Sequence, residues 1–258
     1  MKLSNIRHTI LTVVLAAGCV LSAQQQQPKP KSQKELEALQ KVQTAAQSQN
    51  ADEELKAINY VLENFADTDY KIMLLTMAME ASQTKGDSAQ SSVYGERLLE
   101  ADPNNIPARV MLAEGIAQRT RENDLDKEQS LKKVEDYANK ALDLLKNASA
   151  APTGTPEAQW PEYKKQLTSQ AYDALGQAAD LRKNYPDAIK QFQAAGEAQP
   201  SLVVNARLAK AYVGNKQYDE AISTADKVLV AADAPAAVKQ YAQQQKDMAT
   251  KLKGSGAK

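Results

Sequence analysis

Tyr172-x2-Leu175-Gly176-x2-Ala179, a break at Asn184-Tyr185-Pro186, then Ala188-x3-Phe192-x2-Ala195 and a closing Gln199-Pro200 form the stretch that decides the fold of this chain. Gly176, Ala179, Ala188 and Ala195 leave no bulk where two antiparallel helices must approach closely. Leu175, Ile189 and Phe192 supply the apolar faces that close on each other. A helix hairpin of this size cannot bury its own apolar face and must be stacked on neighbours, so one such unit predicts a whole architecture.

An aromatic, Leu-Gly, an aromatic or small residue, then Ala-x3-Phe and Pro is the order found in a tetratricopeptide repeat, and the segment resembles that family. The next unit repeats it at a spacing of 33: Leu175 recurs as Leu208, Tyr185 as Tyr218 and Ala188 as Ala221, and Tyr212 fills the aromatic slot that Ala179 leaves small. The departures are Asn205 for the first aromatic, Ala209 for the glycine, Ala225 for the Phe, and a late Pro235. The resemblance implies an all-α fold, a right-handed superhelical array of about five antiparallel helix pairs with a C-terminal capping helix. Tyr172, Leu175, Gly176, Ala188, Phe192, Ala195, Pro200, Leu208, Tyr212, Tyr218 and Ala221 are its repeat-packing positions.

Outward from this core the helical period continues. Leu36, Leu39, Val42 and Ala46 share one face, and Leu55, Ile58, Val61, Leu62 and Phe65 share another after the break at Asn50-Ala51-Asp52. A second pair runs from Tyr70 to Ala81 and from Ser88 to Leu99, turning at Lys85-Gly86-Asp87 and stopping at Asp102-Pro103. A third is interrupted: Val110, Leu112, Ala113 and Ile116 precede an inserted loop, about residues 119–127, before Val134, Ala138, Ala141, Leu142 and Leu145 resume the stripe. Residues 147–159, with Pro152, Gly154 and Pro156, read as a linker between helical repeats over 33–146 and a C-terminal part over 160–253. Pro161 suits a first helical turn, Ala236 to Leu252 reads as the capping helix, and 254–258 reads as a disordered tail.

The N-terminus is of another kind. Lys2 and Arg7 precede an apolar run from Ile10 to Leu21, and Leu21-Ser22-Ala23 ends it with small residues, the form of a bacterial-type export signal over 1–23 cut after Ala23. The alternative is lipidation at Cys19, which ends Ala16-Ala17-Gly18-Cys19. A polar, proline-containing leader over 24–32 reads as flexible. The expected location is thus the periplasm or cell envelope, or outside the cell.

Cys19 and His8 are the only cysteine and histidine, so a cleaved chain would hold neither. That excludes disulfides, thiolate nucleophiles, Ser-His-Asp triads and His- or Cys-based metal sites, and neither cofactor nor metal is expected. The 32 basic and 32 acidic residues balance, and loss of Lys2 and Arg7 leaves a slight acidic excess, which gives nucleic acid no electrostatic hold. Membrane contact is expected only if Cys19 carries a lipid.

The remaining candidates have plain explanations. Acids cluster at Asp52-Glu53-Glu54, at Glu122 to Asp126 and at Asp219-Glu220, all at helix starts or in a loop, where the helix dipole and solvent favour them. Met73, Met77, Met79 and Met111 invite a thought of soft-metal binding, but Met73 and Met77 sit among aliphatic residues and the set reads as core filling. Trp160 reads as pinning the linker to the helices. No phosphate loop or HExxH pair is present, and no enzyme activity is expected.

The resemblance instead implies a concave face made by the first helix of each pair, with Gln170, Asp173, Gln177, Asp180, Arg207 and Lys210 as its outward residues. Relatives that grip a peptide's terminal carboxylate carry Lys and Asn where Asp173 and Gln177 stand, so this mixed face suits an extended segment or a helix held by other means. The expectation is a non-enzymatic scaffold for a protein or peptide partner, with a lipid-anchored assembly factor as the alternative.

Overall fold

The computed structural model describes residues 28–152 and 155–255, and among them it contains eleven helices, one short 3-10 turn and no strand. The segment read as an export signal, Cys19, the start of the leader, and the end of the tail lie outside the described residues. The chain divides into two compact units, Met1–Ala108 and Arg109–Lys258.

The first unit holds α1 (Gln33–Gln47), α2 (Ala51–Asn64), α3 (Lys71–Lys85) and α4 (Ser88–Ala101), each packed on the next. Local chemistry sets their ends. Ser32 Oγ accepts from the Glu35 amide at 3.1 Å, Asn50 Oδ1 from those of Asp52 and Glu53, and Asp87 Oδ1 from that of Gln90 at 2.9 Å, so each cap satisfies donors that the helix leaves open. Gly86, at φ 78°, ends α3 in the left-handed conformation that a residue without Cβ adopts freely. Val42, Ile58, Leu74, Leu75, Met79 and Leu98 form the buried interior, which places Met79 in the core as its aliphatic neighbours suggested.

The leader departs from expectation. Within the 24–32 segment read as flexible, Pro28 O accepts from Tyr70 Oη at 2.8 Å, and Lys31 Nζ pairs with Asp69 at 3.2 Å and with Asp67. The cause is Glu35, only 1% exposed, whose carboxylate takes hydrogen bonds from Lys31 N at 2.5 Å and Thr68 Oγ1 at 2.7 Å. A carboxyl group buried this deeply needs hydrogen-bond partners, and the leader provides one of them.

The unit boundary falls within α5 (Ile106–Arg119). The second unit continues with a loop at 120–126 and α6 (Lys127–Asn147), α7 (Trp160–Leu181), α8 (Tyr185–Ala198), α9 (Leu202–Gly214), α10 (Tyr218–Val230) and α11 (Ala236–Gly254). From α6 onward each helix packs on the next, and α7 also meets α9 as α9 meets α11, so alternate helices line up side by side. The 147–159 segment, expected to separate two halves, lies inside this unit. It is bridged: Lys164 Nζ donates to Ala148 O at 2.8 Å, Glu157 Oε1 accepts from Ala151 N at 3.0 Å, and α6 packs directly on α7. Trp160 is buried at its end and meets Tyr163 of the same helix edge to face.

Candidate functional site

Repeat packing explains which side of each helix is left for function. Ala188, Phe192, Ala195, Leu208, Tyr212 and Ala221 are buried in one cluster, with Tyr172 and Tyr218 packed against it, and Leu175 is buried on α7. The Phe192 ring lies over Gly176 so closely that a Cβ built there would fall 2.5 Å from ring carbons. Pro200 is the exception among the repeat-packing positions: it is exposed, and it acts by stopping the chain between α8 and α9. Ser201 follows it and caps α9, accepting from Val204 N at 3.4 Å.

With that side of α7 occupied, Gln170, Asp173, Gln177 and Asp180 form one stripe at helical spacing, and Arg207 and Lys210 on α9 stand beside it. The two helices are tied by ion pairs across this face. Arg207 Nη1 donates to Asp173 Oδ2, which also accepts from Gln177 Nε2 at 3.1 Å. Lys210 Nζ lies 2.5 Å from Asp180 Oδ2. Gln170 is half-buried at the start of the stripe.

These residues are less open than outward positions were expected to be. Asp173 is only 5% exposed, because Arg207, 34 residues further along the chain, folds over it. Burial raises the Asp173 pKa above the ordinary carboxylate value, while the charge and hydrogen bond of Arg207 and the hydrogen bond from Gln177 pull it back. Burial alone would lower the Lys210 pKa, but the hydrogen bond and charge of Asp180, with smaller contributions from Tyr241 and Tyr185, together outweigh it, and the group sits above its usual value. One oxygen of each acid, Asp173 Oδ1 and Asp180 Oδ1, is buried with no hydrogen-bond partner.

Two members of the site were not singled out in the sequence. Glu114 on α5 feels Asp173 and Arg207, and its pKa is pushed up to about 7, first by burial and then by the Asp173 charge, against the pull of Arg207. Tyr241 on α11 is raised above its ordinary value, chiefly by burial, with Lys210, Asp180 and Arg207 all acting on it. The site thus runs across α5, α7, α9 and α11. It offers carboxylates, amides, a phenol and two paired cations. Among the described residues no group of three or more His, Cys, Asp or Glu side chains is arranged to hold a metal ion, and no helix is long and apolar enough to cross a membrane.

No protein-family model matches the chain, and no curated protein matches it in sequence. Among solved structures it is similar to a thermophilic TPR protein of Thermus thermophilus, with a TM-score of 0.54 and 13% identity, covering 82% of this chain and 98% of that one. It also aligns with the TPR2AB domain–pHSP90 complex of yeast Sti1 at 17% identity, over 84% of this chain and 98% of that one, but at a TM-score of 0.30, too low to carry an argument. The first likeness shows the fold: an all-α, tetratricopeptide-type array of consecutively packed helices.

Proposed function

We propose that this chain is an exported, bacterial-type tetratricopeptide protein that holds a peptide or helix of a protein partner against the α7–α9 face, without catalysing a reaction. The observation that carries this reading is the ion-paired stripe itself. Asp173–Arg207 and Asp180–Lys210 fix two neighbouring helices, so the polar groups between them are ordered before a partner arrives. Preorganisation of this kind lowers the ordering cost of binding, and amide and carboxylate acceptors in a row suit the backbone and side chains of an extended segment.

Export rests on Lys2, Arg7 and the apolar run from Ile10 to Leu21, and it places the partner in the periplasm or cell envelope, or outside the cell. A second reading, a lipid-anchored assembly factor, rests on Ala16-Ala17-Gly18-Cys19; release of the protein from the membrane fraction in Cys19→Ala supports it, and an unchanged distribution removes it.

The groove is tested by crosslinking capture from envelope extract, with the exported chain as bait and a Gln170→Ala/Gln177→Ala chain as control. These two side chains are half-buried and polar; their loss changes the face and removes one donor to Asp173, whose ion pair with Arg207 remains. A protein captured by the native chain and lost with the control supports the reading. An identical captured set with both overturns it.

A further inference from the structure

The two ion pairs of the α7–α9 face are asymmetric, and the asymmetry decides what a partner can reach. In each pair the carboxylate lies inside and the cation outside: the Asp173 and Asp180 side chains are 7% and 11% exposed, those of Arg207 and Lys210 26% and 47%. The acids are spent on holding their neighbours. Asp173 Oδ2 accepts from Arg207 Nη1 and, at 3.1 Å, from Gln177 Nε2. With its nitrogen committed there, the half-buried Gln177 amide keeps Oε1, which makes no hydrogen bond among the described residues. Arg207 and Lys210 each keep further N–H donors beyond the one that meets an acid.

We infer that this face reads the main chain of an extended partner segment: a main-chain N–H donates to Gln177 Oε1, and main-chain carbonyls accept from Arg207 and Lys210. The inference rests on the peptide-holding function proposed above and narrows its partner to a segment that is not helical and needs no charge. Both restrictions have a physical cause. The charges on α7 and α9 cancel in pairs, Asp173 with Arg207 and Asp180 with Lys210, so they give a charged side chain little to select on. What stays open is an acceptor beside donors, the complement of a chain that offers one N–H and one C=O at every residue. In a helix those groups are already paired with each other, so only an extended segment presents them.

The parts of the face have separate duties. Asp173 and Asp180 are positioning residues: too buried to meet a partner, they fix the amide and the two cations from behind. Arg207 and Gln177 are held on one oxygen, so a free acceptor and free donors stand close together. Gln170, two helical turns earlier on α7 and thus about 10.5 Å away, continues the row. An extended segment covers that distance in about three residues. Affinity then comes from main-chain hydrogen bonds, and side chains of the partner adjust it.

The experiment selects capped nonapeptides, random at every position, on the immobilised full chain. One selected, labelled peptide is then remade with each amide in turn replaced by an ester, which removes the N–H and nearly keeps the shape, and binding is read by fluorescence anisotropy. The expected result is a set of peptides with no shared charged position, and one ester that binds about tenfold more weakly than its parent. In Gln177→Met that penalty disappears, because parent and ester bind alike. The ester scan on the native chain stands even if the variant folds poorly. If every ester binds as the parent does, the inference is overturned, while loss of the parent's binding in Gln170→Ala/Gln177→Ala keeps the groove reading. If the penalty is undiminished in Gln177→Met, folded by circular dichroism, the N–H is held elsewhere and the inference fails. Enrichment of acids or of bases at one position also overturns it, because the face then reads charge. If no peptide is selected at all, the groove reading falls with it.

Discussion

The pair α7–α8 and the pair α9–α10 fill the same junction in different ways. In the first, a large ring, Phe192, lies over a residue with no Cβ, Gly176. In the second, 33 residues along, the corresponding positions are Ala225 and Ala209, both fully buried in a cluster with Ala206, Val228 and Ala242. One repeat concentrates the volume in a single side chain, and the other spreads it over several small ones. The difference teaches that the repeat requires a total filled volume at the contact, and that the particular residues are exchangeable when they change together.

That comparison breaks first at Phe192. Phe192→Ala should cost about 3–5 kcal/mol in chemical denaturation, whereas Ala225→Gly should cost only about 1 kcal/mol; similar losses at the two sites would show that the ring has no special share of the packing. The two pairs also differ in charge, since Asp173 on α7 raises the pKa of Glu114. An acid whose folded-state pKa is raised from 4.5 to about 7 contributes stability that is complete below about pH 4.5 and is lost as pH rises through about 7. Melting followed between pH 4.5 and pH 8 should show a loss of up to about 3 kcal/mol that Glu114→Gln removes, and a variant with the same pH dependence as the native chain would assign the loss to other groups.

Smaller effects sharpen the volume argument. Gly176→Ala should cost about 1–3 kcal/mol by forcing the Phe192 ring aside. Grafting the first solution onto the second pair tests exchangeability directly: Ala225→Phe alone should destabilise by about 1–3 kcal/mol, and adding Ala209→Gly should recover part of it. Additive losses in the double variant would mean the two junctions differ in backbone spacing as well as in residues. The smallest effect is expected at Lys190, exposed on the same helix as Phe192, where Lys190→Ala should stay within about 0.5 kcal/mol while Ala188→Lys, two residues away and fully buried, disrupts the pair.

The fold was legible because its determinants are local and periodic. Gly176, Ala188, Phe192 and the recurrence of Leu175, Tyr185 and Ala188 as Leu208, Tyr218 and Ala221 state the helix contacts in the order of the chain, and Asn50, Asp87 and Ser201 mark helix starts with their own side chains. The candidate site was legible only in outline. Its stripe on α7 follows from helical spacing, but the burial of Asp173 depends on Arg207 reaching it from the next pair, and nothing near Asp173 in sequence announces that. Glu114 was missed for the same reason: within its helix it is one acid among polar and apolar residues, and only the approach of α7 and α9 alters its proton affinity. The 147–159 segment was legible only as a break in helix. Among the described residues no α-helix lies between Asn147 and Trp160, as its prolines suggest, yet they carry no information about Lys164 and Glu157 closing across it.

The anchored leader has a mechanical consequence. Pro28 and Lys31 are fastened to Tyr70, Asp67 and Asp69, in and beside the turn between α2 and α3, as well as to Glu35 on α1. Tension on the chain ahead of Pro28 therefore does not peel α1 away alone. It is shared at once with the entrance of α3, and the load must shear several polar contacts together before the first helix begins to unwind.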